Sequence, residues 1–306
     1  MKIVVTGGAG FIGSHVVDRL IQEGHRVAVI DNLSTGKRKN VHRNARLYKM
    51  DIQRPSIHRV FRSERPTVLV HLAAQIDVRR STEDPAYDAS VNILGTLNVL
   101  ARAVEYGARK VVFASSGGAI YGEQQMFPAP ETHPTEPLSP YGISKLAGEK
   151  YLAYYAHVVG IDTVSLRLGN VYGPRQASDG EAGVVAIFTE KMLQGEQPVI
   201  NGTGKQTRDF IYVDDVVEAL LTTLEPGVQG IFNVGTGCET SINECFQELK
   251  RLTGSSCKEL HGPAKKGEQL RSVLDITRMR EQFGWEPQIS FHEGLRRTVE
   301  YFRSTR

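Results

Sequence analysis

The sequence predicts an α/β fold, a doubly wound parallel sheet joined to a smaller α/β lobe. Short apolar runs alternate with helical patterns through the first 168 residues, the signature of βαβ units. A Gly7-x-x-Gly10-x-x-Gly13 stretch lies between the first run and the first helical pattern. After Arg167 the rhythm changes, and Pro174 to Gly183 reads as a polar loop.

Taken in order, Ile3 to Val5 reads as the first strand and Phe11 to Glu23 as a helix stopped by Gly24. Strands follow at Val27–Ile30, Arg46–Met50, Val68–Val70, Lys110–Phe113 and Thr163–Leu166. Asp88 to Tyr106 and Tyr141 to Val159 read as two long amphipathic helices. Beyond the loop, Gly183 to Gln194 and Asp214 to Leu224 read as helices, and Phe210–Val213 and Gly230–Val234 as strands. Ser241 to Thr253 carries Ser241 and Glu244 at the spacing of a capping box, and shorter helices are expected at Arg278–Phe283 and Glu293–Phe302. The expected division is a sheet domain over 1–168, to which 210–235 returns, and a second lobe from 169–209 and 236–306.

Composition bounds the function. A chain of 306 residues can bury one large or two medium cores, and 40% hydrophobic with 23% charged residues is ordinary for a soluble protein. A net charge of +3 with dispersed basic residues argues against nucleic acid. No apolar run reaches about 18 residues, so no membrane span is expected, and Met1-Lys2 leads straight into a strand rather than a signal peptide. Cys238, Cys245 and Cys257 lack a Cys-x-x-Cys spacing and read as reduced thiols in a cytoplasmic protein. Nine histidines lack metal-ligand spacing, and His71 reads as a strand-end packing residue.

The glycine stretch carries a dinucleotide signature. Gly7 makes a tight turn, Gly10 lets backbone approach a pyrophosphate, and Gly13 lets helix pack on strand. The helix start then offers N–H groups and a positive dipole end to phosphate. Asp31 ends the second strand 18 residues after Gly13, where a carboxylate accepts from both ribose hydroxyls and repels a 2′-phosphate. The cofactor expected is therefore NAD rather than NADP. Asp51, ending the third strand, suits an adenine amino group or the cap of a helix.

Tyr141 and Lys145 are four residues apart, one helical turn on a single face. Bringing a phenol from a pKa of about 10 to about 7 requires roughly 4 kcal/mol of preference for phenolate. An ammonium about 4 Å away supplies up to that amount at an effective dielectric of about 20. The expectation is a Tyr141 base whose pKa is depressed by Lys145.

Several further blocks occur in order: His71-Leu-Ala-Ala-Gln75, Asn92-Ile-Leu-Gly-Thr96, Ser115-Ser116, Tyr121-Gly122, Pro140-Tyr-Gly-Ile-Ser-Lys145, Arg167-Leu-Gly-Asn-Val-Tyr-Gly-Pro174, Arg208-Asp-Phe-Ile-Tyr-Val-Asp-Asp215 and Gly284-Trp-Glu-Pro287. With the glycine turn, they make the chain resemble the extended short-chain dehydrogenase/reductase family, specifically its nucleotide-sugar epimerases, over nearly its whole length. The resemblance implies a Rossmann domain, bound NAD, a homodimer formed through Asp88–Tyr106 and Tyr141–Val159, and C4 epimerisation of a UDP-hexose through a 4-keto sugar. It places NAD against Gly7, Gly10, Phe11, Ile12 and Gly13, against Asp31, Asn32, Ser34, Thr35 and Gly36, and against Asp51 and Ile52. Leu72, Ala73, Ala74, Gln75, Asn92, Ser115, Tyr141 and Lys145 would complete that site. Tyr141, Lys145 and Ser116 would be catalytic. Ser116, Gly117, Asn170, Arg208, Arg271 and Ser272 would face the nucleotide-sugar, the arginines as phosphate forks.

Three positions depart from the family pattern. Gly117 stands where a serine or threonine is usual, so either Ser116, one residue earlier, substitutes through a shifted backbone or a water, or Tyr141 works without that partner. Lys265-Lys266-Gly267-Glu268 replaces an arginine-containing segment, giving a point charge instead of a fork. Ser272 replaces a bulky aromatic found in some relatives, leaving room for N-acetylated sugars. Gly118-Ala119 replace the Asp-Glu pair of a 4,6-dehydratase, which argues against dehydration. A UDP-uronate epimerase or decarboxylase, and a non-catalytic NAD-sensing module, are the alternatives.

Overall fold

The structure, a computed structural model, describes residues 1–178, 183–264 and 269–305. The Lys265–Glu268 stretch and residues 179–182 of the expected loop lie outside the described residues. Seven strands form one sheet: β1 (Lys2–Thr6), β2 (Arg26–Asp31), β3 (Arg46–Lys49), β4 (Val68–His71), β5 (Lys110–Ser116), β6 (Asp162–Leu168) and β7 (Gly230–Val234). Their order is β7-β6-β5-β4-β1-β2-β3, with every neighbour parallel. The chain runs outward from β1 to β3, then crosses back to β4 and builds the other way. The crevice beside β1 and β4 is the switch point, where ligands of doubly wound sheets bind.

The inner strands are short and largely buried because both faces of the sheet are covered. Ile3 and Val5 of β1 enter one core and Val4 the other, as pleating requires. The first core is closed by helix Phe11–Gln22, through Val16, Val17 and Leu20, and by helix Val213–Thr222, through Val216, Val217 and Leu220. The second is closed by Val60 and Phe61 of His58–Glu64, Val99, Leu100 and Ala103 of Thr96–Glu105, and Leu152 of Pro140–Tyr154.

A third core gathers pieces of the chain after residue 169. It joins Tyr172, Val185, Phe188, Phe210, Tyr212, Ile242, Phe246, Leu249, Leu295 and Val299. Here Phe210–Tyr212 pairs in parallel with Asn170–Tyr172, apart from the seven-stranded sheet. The Ser241/Glu244 capping box is formed, and helix Ile242–Thr253 ends at Gly254 in the left-handed region.

Both long helices differ from the periodicity-based expectation. Instead of one helix over Asp88–Tyr106 there is Pro85–Ala89, a π turn over Ser90–Gly95, and Thr96–Glu105. The second helix covers Pro140–Tyr154 and ends in a π turn over Tyr155–Val159. A π turn inserts one extra residue without interrupting the apolar stripe, so the hydrophobic pattern does not reveal it. Among the described residues no helix is long and apolar enough to cross a membrane.

Candidate active site

Backbone packs closely against the glycine turn at Gly7, Gly10 and Gly13. Gly7 has φ +72, and a Cβ there would lie 2.7 Å from the Ala73 nitrogen, so the β1 turn presses directly on the loop after β4. A Cβ on Gly13 would stand 2.1 Å from the Gly7 oxygen, which fixes how closely helix Phe11–Gln22 approaches the turn. That helix starts at Gly10 with no side-chain cap and no acidic residue in its first turn. Its positive end therefore faces the crevice without a carboxylate to occupy it, which fits a pyrophosphate.

Asp31 lies at the end of β2, buried. One carboxylate oxygen accepts from the Ala9 N–H at 3.0 Å and the other from Leu33 N–H at 2.8 Å. It braces the glycine turn from below, and each oxygen keeps acceptor capacity for a ribose hydroxyl. Gly36 packs against this carboxylate, and the Asn32 carboxamide oxygen accepts from Ser34 N–H. Thr35 lies in the same turn after β2. Asn32 Nδ2 donates to Asp51 Oδ2 at 3.0 Å, while Asp51 Oδ1 accepts from Gln53 N–H at 2.8 Å. Asp51 thus caps its own turn and still sits beside Asn32. Ile52 is buried against Gly95. On the other wall Leu72 N–H donates to Thr6 O, and Ala73 N–H donates to Thr6 Oγ1. Ala74 sits between Ala73 and the buried Gln75. Phe11 and Ile12 open the helix on the crevice side and pack toward the third core.

Tyr141 and Lys145 stand one turn apart on helix Pro140–Tyr154, whose Ser139 accepts from Gly142 N–H as its cap. Lys145 is buried: its Nζ donates to Ala114 O at 2.8 Å and lies 5.8 Å from the Tyr141 ring centre. Ser116, on the strand end before Gly117, is the hydroxyl whose presence acts to lower the Tyr141 pKa. At Gly117 itself a side chain is sterically opposed, since a Cβ there would lie 2.7 Å from both methyls of Leu274.

One expectation is corrected. The protein's own groups do not depress the Tyr141 pKa. Burial, then the nearby Asp88 charge, push it up to about 12, against the lowering by the Ser116 hydrogen bond. Lys145 is not among the groups that lower it. Burial instead lowers Lys145 to about 8, opposed by Asp88 and Glu149. The ammonium donates to Ala114 O and lies over the Phe113 ring, and burial of the phenol dominates its pKa.

Two buried carboxylates behind the pair are absent from the sequence-derived set. Glu149 continues the Tyr141–Lys145 stripe by one more turn. It accepts from Ser115 Oγ at 2.6 Å and from Arg167 at 2.9 and 2.7 Å, a buried bidentate pair. Asp88 accepts from Asn92 Nδ2 at 2.9 Å, Gln75 Nε2 at 3.1 Å and Ser144 Oγ at 2.6 Å. Asn92 also holds the Gln75 backbone from both sides, accepting from its N–H and donating to its carbonyl. Asp88, Asn92 and Thr96 form an inward polar stripe at spacings of four, and that spacing was the signal available in the sequence. His71 is buried between Thr6 and Thr96, as packing at a strand end.

On the second lobe's side, Asn170 opens the short ladder and its carboxamide oxygen lies near Gly118. Arg208 donates to Thr207 O and Gln269 O, so its guanidinium is oriented by backbone. Next to it, buried Asp209 accepts from Thr236, Gly237 and Leu274, which locks Leu274 over Gly117. Arg271 differs from the expected phosphate fork: both its Nε and Nη2 are engaged by Glu239, and it stacks 3.7 Å over Phe127. Ser272 is buried beside Val273, whose N–H donates to Gln124.

A doubly wound sheet whose first glycine turn opens beside half-buried Tyr141 and Ser116 and buried Lys145 is the arrangement of a dinucleotide-dependent enzyme acting on a carbinol. The chain belongs to the NAD dependent epimerase/dehydratase family, which matches residues 3–235. It is 44% identical over 310 residues to the UDP-glucose 4-epimerase of Mycolicibacterium smegmatis, covering 99% of each chain. It is also similar to the crystal structure of the Thermotoga maritima UDP-glucose 4-epimerase with UDP-glucose. There the TM-score is 0.98 and the identity 51%, over 100% of this chain and 99% of that one. The Thermus thermophilus UDP-glucose 4-epimerase in complex with NAD matches with a TM-score of 0.96 and 45% identity over 100% of both chains.

Proposed function

We propose that this protein is an NAD-dependent epimerase that reversibly inverts C4 of a UDP-hexose, interconverting UDP-glucose and UDP-galactose. The observation that carries the reading is Tyr141 one turn from buried Lys145 on one helix, with the Lys145 Nζ 5.8 Å from the Tyr141 ring centre, beside a glycine turn built for a dinucleotide. The likeness to named 4-epimerases over the full chain supports the sugar class.

Bound NAD supplies a hydride acceptor for C4 and returns the hydride afterwards. The chain's own residues do the rest. Tyr141 takes the proton of the 4-hydroxyl and gives it back. Ser116 donates to the phenol oxygen as its charge develops, which favours the phenolate. Lys145 keeps a positive charge in the crevice, fixed by Ala114 O. Asp31 and the uncapped helix start hold the dinucleotide. The lobe from 169–209 and 236–306 holds the UDP group, with Asn170 and Arg208 at its mouth. Ser272 stands where some relatives carry a bulky aromatic, so N-acetylated UDP-hexoses are read as substrates too. Firm anchoring of the phosphates with a loosely held sugar lets the 4-keto sugar present either face.

The test is a panel of UDP-sugars incubated with the purified protein, followed by mass-resolved separation of products. UDP-galactose is expected to give UDP-glucose, and UDP-N-acetylgalactosamine its C4 epimer. Loss of carbon dioxide from UDP-glucuronate in place of these reactions would assign the protein to the decarboxylase alternative.

The reading includes a homodimer. Leu94, Ile143, Tyr154 and Val158 are apolar and more than half exposed on the Ser90–Gly95 turn and the Pro140–Val159 helix. Such a band of apolar surface suits a face shared by two copies. Light scattering is expected to give twice the chain mass, and Tyr154→Arg with Val158→Asp to give one chain mass. A wild-type monomer would remove the dimer from the account.

A further inference from the structure

Asp88 is fully buried, yet no lysine or arginine of the described residues pairs with it within salt-bridge distance. Its three partners, Gln75, Asn92 and Ser144, are neutral donors. An ionised carboxylate without a cation is costly in a protein interior and persists where donors and a useful field compensate. The three donors also come from three places. Gln75 lies in the loop after β4 that presses on Gly7, Asn92 in the π turn, and Ser144 on the catalytic helix immediately before Lys145.

We infer that Asp88 is a positioning residue for the epimerisation: it ties the cofactor-side loop to the catalytic helix and supplies the negative charge that governs Lys145 and Tyr141. The inference deepens the proposed function and rests on it.

The surrounding charges single out Asp88. The other carboxylate acting on Lys145 is Glu149, and Arg167 engages both its oxygens. His71, buried near Lys145, is held neutral by burial and then by the Lys145 charge itself. The charged residues of helix Val78–Glu83, namely Arg79, Arg80 and Glu83, are exposed. Among the described residues Asp88 alone therefore acts on both catalytic groups without a cation in salt-bridge distance. It favours the proton on Lys145 and on Tyr141 alike. Lys145 thereby stays charged at neutral pH, and the phenol keeps its proton until a substrate hydroxyl and the cationic cofactor alter the balance.

Asp88→Asn tests the charge apart from the shape. The amide oxygen can still accept from Gln75 and Asn92, and the Ser144 hydroxyl can turn to accept from the new amide. Wild type and variant are compared on UDP-galactose over a pH series, with thermal unfolding of each. The expected result is a kcat about 10- to 100-fold lower, KM within about threefold, and an alkaline limb of kcat displaced to lower pH by about one unit. A variant with unchanged kcat and an unmoved alkaline limb overturns the inference, whatever its melting temperature. If Asp88→Asn does not fold, Ser144→Ala decides. It retains the charge but loosens its tie to the catalytic helix, so kcat is expected to fall about 3- to 10-fold at constant KM. A Ser144→Ala enzyme with full kcat would then overturn the inference. A wild-type protein that turns over no UDP-sugar overturns the proposed function and this inference together, whereas active wild type with an indistinguishable variant overturns the inference alone.

Discussion

A Cβ on Gly117 would meet both methyls of Leu274 at 2.7 Å, and the buried Asp209 carboxylate holds the Leu274 backbone in place. On the proposed reading the hydroxyl that serves Tyr141 comes from Ser116, one residue earlier. Gly117→Ser is expected to lower stability by about 1–3 kcal/mol, and by less than about 1 kcal/mol in a Leu274→Ala background, as read from denaturation midpoints. Equal costs in the two backgrounds would mean that the leucine is not the obstacle. The missing side chain at Gly117 was legible in the sequence as a departure from the family pattern. The leucine was not, because it lies 157 positions away and only folding brings it near. His71 carries a pH dependence of its own. Burial, then Lys145, lowers its pKa to about 3 from 6.5. Below 6.5 the unfolded chain takes up a proton that the fold refuses until about pH 3, so the stability present above 6.5 is lost as pH falls through that window. At pH 5 the loss from this one site is about 2 kcal/mol. Unfolding midpoints should fall from pH 7 to 5 in wild type and fall less in His71→Asn, and parallel slopes would show that His71 is not the source.

At the scale of elements, the glycine turn and the capped helix after Ser241 were readable because each depends on a few residues at fixed local spacing. The helix containing Asp88 was not. Its apolar periodicity continues through a π turn, and periodicity reports which residues face inward, not how many hydrogen bonds each turn closes. The same limit hid the two carboxylates. Asp88 and Glu149 sit on stripes the sequence does display, at spacings of four from Asn92 and Lys145, but charged residues on a helix ordinarily mean solvent. Their burial follows from the opposite partners, Ser144 and Arg167, which come from other segments. The Tyr-Lys pairing was found by spacing, yet its electrostatics were misjudged. The ammonium donates to Ala114 O, and burial of the phenol dominates its pKa.

For the whole molecule, the order of apolar runs was enough to give a parallel sheet that reverses direction beside β1. That reversal puts the glycine turn, the loop after β4 and the catalytic helix around one crevice. Beyond residue 169 the sequence indicated a second lobe but not its wiring, since its core gathers separate pieces and its ladders are only two or three residues long. The account's central claim is that Tyr141 moves the proton of the C4 hydroxyl within that crevice. The most direct measurement is the kcat of Tyr141→Phe against wild type on UDP-galactose, with no cofactor added and with folding checked by unfolding midpoint. The account predicts a loss of roughly 10²- to 10⁴-fold with the fold retained. A folded Tyr141→Phe protein that kept the wild-type rate would contradict it.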